Sequence, residues 1–509
     1  MSIFGSENES WLITPRGYWE GAERSVPPIE SVIRITDILD WDPSEEYVEM
    51  ESTQSQSDWV EQVEMDDRKL LVDKEEKHKK ITSNVFWAGF NLINSILGTG
   101  MIGLPYSMKL AGFPFGLLLL VGVAYVTDYS MIMLIEGGAL SGTTTYQSLV
   151  SRTFGFPGYL ILSVLQFLYP FAAMVSYNII TGDILPKIFL QIPGVTPESI
   201  LAERHFAILL TTVIITLPIA LYRNMEKLGK VSLVSLVLTT IVLLIIIIRT
   251  STLTSIIPPT ADAWVFVKSN AFQAVGVMSF VFMCHHACFL IYGSLEEPTV
   301  STWSRITHAS MILSLCISLQ YSIFGYVSFT GFTQGDLFEN YCKHDNLVTI
   351  GRFCYALTII LTYPMECFVA REVIANVFFG GTLTSSLHLV VTLMVVSLTT
   401  TISLACECLG MVLELNGILS ATPLVFIIPP VCYLKLSSDH WYHRNNIMPC
   451  FILLLGVIIM PVGFVMAIMY PQECSHGVEM FYCFLQNSTF SNASRADSYI
   501  RNPSEINVT

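Results

Sequence analysis

The stretch NSILGTGMIGLPYSM, residues 94–108, places the amide of Asn94 one turn ahead of Gly98, Gly100 and Gly103, with Pro105 following. Glycine and proline weaken a helix most. The flanking residues are nevertheless apolar enough for a bilayer, where lipid offers no partner to a freed backbone group. If the helix unwinds over residues 98–103, the half-helix starting near Ile102 aims free N–H groups and a positive dipole end into the membrane centre. The half-helix ending near Leu97 aims free carbonyls the other way. Such a gap suits a carboxylate and a cation held side by side. That is recognition chemistry, without a bond made or broken. Close packing through small residues is the plainer reading, but glycine spacings of two and three with a proline after them favour the break.

A zwitterion with a coupling ion in such a gap calls for a second interrupted helix five spans later, in an inverted repeat. The sixth apolar span, NAFQAVGVMSFVFMCHHACFLIYGSLEEP, offers Gly276, Ser279, His285 and His286 near its middle. Cys284, His285, His286 and Cys288 sit too close on one helix to converge on zinc. The eighth span carries Thr358, Thr362 and Pro364. Sodium, like other hard cations, prefers hydroxyl and carbonyl oxygens, so Thr362 is the candidate ligand there. Thr358 reads instead as a residue bonding back to its own turn. Asp128, Glu366 and Glu414, in or near spans, are candidate proton carriers, and His285 is a candidate titrating group.

The elements that must position these residues are membrane helices. Of 509 residues 52% are hydrophobic and 13% charged, the membrane class. Stretches of about 20 apolar residues, enough to cross a bilayer, fall near 83–108, 112–135, 158–182, 206–222, 230–249, 270–293, 306–330, 348–369, 385–405, 410–434 and 447–470. Lys and Arg at 68–80 hold the N-terminus in the cytosol, and eleven spans put the C-terminus outside. There Asn487, Asn492 and Asn507 begin glycosylation sequons. Cys342, Cys474 and Cys483 fall on the same oxidising side, which allows one disulfide, Cys342 with Cys474 or Cys483, and leaves one thiol over.

Residues 1–80 carry 20 of the 41 acidic side chains against nine lysines or arginines, and read as a largely disordered cytosolic tail. Asp66 with Leu70-Leu71, and Tyr47 with Met50, match sorting patterns, and Trp11, Trp19, Trp41 and Trp59 could engage a cytosolic partner. No phosphate loop, zinc site or nucleophile elbow points to an enzyme, and nothing resembles a nucleic-acid footprint.

Four strings in order, NLINSILGTGMIGLPYSMKLAGFPFG, FMCHHACFLIYGSLEEP, LTYPMECFVAREVI and ATPLVFIIPPVCYLKL, resemble the sodium-coupled neutral amino acid transporters of the amino acid/auxin permease branch, over residues 80–485. The resemblance implies an all-α polytopic membrane protein of eleven helices. Residues 83–249 and 270–434 would form a five-plus-five, LeuT-like inverted repeat, 447–470 an extra helix, and 471–509 a glycosylated outer tail. It implies symport of small neutral amino acids such as glutamine, with sodium as coupling ion and no other cofactor, most naturally at the plasma membrane, with endosome or lysosome as the alternative. Carried over by residue, sodium falls on Asn94 and Thr362. Substrate falls on Gly98, Thr99, Gly100 and Met101, with Ser279, Phe282 and His285 opposite. His286 stands where many relatives have proline. The family's loop disulfide finds only Cys342 here. Proton coupling, or amino acid sensing through the acidic tail, are the competing expectations.

Overall fold

The computed structural model describes residues 85–222, 228–438, 440, 442–472 and 479–487, and its architecture is built from helices. The acidic tail with its sorting patterns, Cys474, Asn492 and Asn507 lie outside the described residues. In chain order the helices are α1 (Val85–Ile96), α2 (Leu104–Ala111), α3 (Phe113–Ser141), α4 (Tyr146–Phe189), α5 (Arg204–Ala220), α6 (Leu228–Leu253) and α7 (Ala271–Phe282). They continue as α8 (His285–Gly293), α9 (Val300–Phe329), α10 (Asn346–Phe378), α11 (Ser385–Ala405), α12 (Leu409–Leu436), α13 (Arg444–Met469) and α14 (Phe481–Asn487).

Among the described residues nine helices are long and apolar enough to cross a membrane, or ten if the bent pair at residues 85–111 is one span. The expected fourth span is the shorter α5, interrupted by a π turn at Thr212–Thr216. The third runs well past its apolar centre, over 44 residues, because Thr145 and Ser148 form a reciprocal capping box that starts the helix in polar sequence. Gly155, at φ +68°, then kinks it in a conformation a side chain rarely adopts.

Apolar residues cover the outside as well as the core, as a lipid-facing surface requires. Val213 and Ile214 on α5 and Leu454 and Val457 on α13 are all more than half exposed. Inside, α4 packs chiefly on α10, α2 on α7, and α9 on α1, α2, α3 and α6. The glycines at 276 and 417 bring α7 and α12 together so closely that a methyl on Gly417 would strike the Gly276 backbone.

Cys342 and Cys483, 141 residues apart, form a disulfide, and Cys408, between α11 and α12, is disulfide-bonded as well. The expected count of one bridge and one spare thiol therefore needs correcting. Cys408 borders an apolar stretch, which hides it among membrane residues in the sequence, but the chain has already left α11 at Ala405.

Candidate functional site

The first span is interrupted at its glycines. The last helical bond of α1 is Leu97 N–H to Ile93 O, 2.8 Å, and Gly98 turns extended (φ −80°, ψ −154°). A 3₁₀ turn over Thr99–Gly103 follows, and α2 begins at Leu104 with Pro105 in its first turn, where a missing N–H costs nothing. The two halves meet at 46°. The sixth span is interrupted too: α7 ends at Phe282, Met283 is extended, and α8 begins at His285.

These breaks face each other. A Cβ on Gly100 would lie 2.7 Å from Val281 and 2.8 Å from Phe280, so only hydrogen fits between the 3₁₀ turn and the end of α7. Tyr169, from mid-α4, reaches the second break: its hydroxyl lies 3.3 Å from Phe280 O, which also accepts from Met283 N, and 3.3 Å from Met283 O, a carbonyl that the lost helical ladder frees. Asn416 donates to the Tyr169 carbonyl at 3.1 Å, and the His286 ring lies 5.6 Å from the Tyr169 ring. Tyr177, two turns along α4, lies nearest the Gly98 backbone, with its ring 6.1 Å from Tyr363 on α10. One face of α4 thus serves both interruptions.

The other expected site residues spread around this gap. Met101 is fully buried, with its sulfur 3.5 Å from the Ser318 hydroxyl. Ser279 and Phe282 are also fully buried but belong to α7, before the break, and Ser279 bonds back to Val275 O at 2.7 Å. His285 is held from α3: its Nε2 is 3.0 Å from Ser130 Oγ, and Ser130 gives its one proton to Val425 O at 2.5 Å. Nε2 therefore donates, and the buried Nδ1 of His285 has no partner.

Asn94 is buried on α1, which packs on α6, α8 and α9. Thr362 is buried on α10, which packs on α4 and α6. The two helices share a neighbour, and neither is the other's main partner. Thr362 donates to Thr358 O at 2.8 Å, which uses its proton and leaves its lone pairs for an ion. Thr358 bonds back to Cys354 O at 3.1 Å, as expected of it. Of the three membrane carboxylates, Asp128 is not near a span end but in mid-α3, 2.7 Å from His308. Glu414 accepts from Gln472 at 2.5 Å. Glu366 is buried, one turn beyond Thr362, and its Oε2 has no hydrogen-bond partner.

Sequence reasoning assigns no role to Tyr169, Ser130 or Asn416. The one signal available was polarity inside apolar spans, which does not say which way a side chain points.

Residues 82–469 match the family model described as transmembrane amino acid transporter protein. The chain belongs to this family, and it is an integral membrane protein. It is 62% identical to the Bos taurus protein named "Putative sodium-coupled neutral amino acid transporter 11", over 84% of this chain and 92% of that one. It is 30% identical to vacuolar amino acid transporter 2 of Saccharomyces cerevisiae, over 79% of this chain and 86% of the relative. Its fold is similar to the crystal structure of MhsT in complex with L-phenylalanine: the TM-score is 0.52 at 12% identity, covering 76% of this chain and 99% of that one.

Proposed function

We propose that the protein is a secondary active transporter that carries a small neutral amino acid together with sodium by alternating access. The carrying observation is the pair of facing helix breaks, at Gly98 and at Met283–Cys284. The substrate carboxylate meets the N–H groups around Gly98 to Gly100, at the opening of the 3₁₀ turn. The ammonium meets carbonyls at the end of α7, where Tyr169 already marks two acceptors. Sodium bridges α1 and α10 through Asn94, backbone oxygens near residue 97 and the Thr362 hydroxyl. Eleven spans in two inverted sets of five, α5 and the α1–α2 pair counted as one span each, provide the moving and static parts. The bovine relative's name and the MhsT fold support this reading. Plasma membrane residence and a cytosolic partner for the acidic tail belong to the same proposal.

The test is radiolabelled uptake across a panel of amino acids, with sodium replaced by choline at fixed pH. Uptake that disappears in choline, with an apparent sodium requirement raised by Thr362→Ala, is the expected result. Unchanged uptake in choline overturns sodium coupling. A second reading, proton coupling, is favoured by the unpartnered Glu366 oxygen in mid-membrane and by the vacuolar name of the yeast relative. Uptake that persists in choline but collapses on Glu366→Gln would select it.

A further inference from the structure

On the outer side, the segment between α9 and α10 folds over the candidate gap. Its 3₁₀ turn Leu337–Asn340 packs on the turn Thr99–Gly103, and Lys109 Nζ holds Thr333 O at 3.0 Å. Beneath this lid lie three buried carboxylates: Asp183 from α4, and Asp336 and Glu339 from the lid. One ligand oxygen from each is within 4.8 Å of the others. Arg204 pairs with Asp183 at 3.1 Å, and Lys187 with Glu339 at 2.6 Å. The third nearby cation, Arg352, points its guanidinium at backbone carbonyls, among them Phe338 O at 3.1 Å and Tyr341 O at 2.9 Å. Asp183 and Glu339 thus each have a cation in direct contact, whereas Asp336 has none among the described residues. Asp336 is 4% exposed; its Oδ1 accepts from Phe338 N, and its Oδ2 has no partner among the described residues.

We propose that this triad is a proton-binding site that latches the outer lid: one proton, carried on Asp336, is bound when the lid is shut and released when it opens. A buried acid group with no cation in direct contact favours its neutral form, here against the opposing pull of Lys187 and Arg352. A divalent ion fits poorly, because Lys187 and Arg204 already occupy Asp183 and Glu339 and would repel it. The groups facing Asp336 are Asp183 and Lys187 from α4, Arg204 from α5, Glu339 on the lid, and Arg352 and Tyr355 from α10. Burial, with Glu339 beside it, pushes the Asp336 carboxyl up to about 7. In an open, hydrated lid the same group returns to about 4. The closed state therefore keeps its full advantage in acid and loses it as pH rises from about 4 to about 7.

The test is hydrogen exchange of residues 330–345 in the full chain in detergent micelles, without substrate, with rates corrected for intrinsic pH dependence. It stands apart from any transport assay, so its failure and that of the transport reading are distinguishable. Opening should rise at least about tenfold from pH 5.5 to pH 7.5 in the parent protein, and Asp336→Asn should flatten the profile. Glu339→Gln, which removes the neighbouring charge, should shift it to lower pH if Asp336→Asn does not fold. A parent profile that is flat, or one that Asp336→Asn and Glu339→Gln leave unchanged, overturns the proposal. So does protection that depends on added calcium or on a chelator, which would make the triad a metal site.

Discussion

The Tyr169 hydroxyl sits 3.3 Å from the Met283 carbonyl oxygen and at the same distance from that of Phe280, so a single proton from α4 is shared between two carbonyls at the second break. Tyr169→Phe keeps the ring and its packing against Phe280 and removes only that proton. A buried carbonyl left unmet costs about 1–3 kcal/mol. Uptake efficiency should fall roughly tenfold while the protein still reaches the membrane, which surface biotinylation beside radiolabelled uptake will check.

Gly100 is held to hydrogen by Val281 and Phe280, whereas Gly122 on α3 has open space around it. Gly100→Ala should lower thermal stability by about 1–3 kcal/mol through overpacking and impair uptake. Gly122→Ala should leave both near the parent values, since alanine is the better helix former. Fluorescence-detected thermal melts of the pair separate crowding at the break from a general intolerance of α-carbon substitution.

The buried Arg204–Asp183 pair and the partly exposed Lys268–Asp262 pair should respond very differently to loss of the cation. Arg204→Met strands the Asp183 carboxylate in the interior and removes hydrogen bonds to Ser403 O and Cys406 O, so a loss of about 3–5 kcal/mol is expected. Lys268→Met frees an aspartate that water already reaches, with an effect under about 1 kcal/mol. Melting of the two variants side by side is the check.

Cys483→Ser should release the link between Cys342 and the segment after α13. A tie across 141 residues stabilises chiefly by restricting the unfolded chain, here by about 2–4 kcal/mol. Parent protein treated with reductant should melt close to the Cys483→Ser variant treated the same way, and the variant itself should shift on reduction only by what the bridge at Cys408 adds.

The glycine-interrupted first span was legible in residues 94–108, because Gly98 and Pro105 disfavour a continuous helix through local chemistry alone. The second break was harder to read. It falls at Met283–Cys284, neither of which breaks helices, so tertiary partners impose it: Tyr169 on the freed carbonyls and Ser130 on His285. The latch under the outer lid was invisible for a related reason. Asp183, Arg204, Asp336 and Arg352 are far apart in the chain, and only the packing of α4, α5 and α10 around the lid makes neighbours of them. The pairing of Cys342 was narrowed to two partners by topology, and the fold selects Cys483.

Gly276 and Gly417 touch through main chain alone, with no side chain between them to roll or slide. A joint without such a cushion transmits displacement rather than absorbing it. On the alternating-access reading proposed above, a swing of the sixth span would drag the tenth along, and the seam that shears would run through some other, softer boundary between helices.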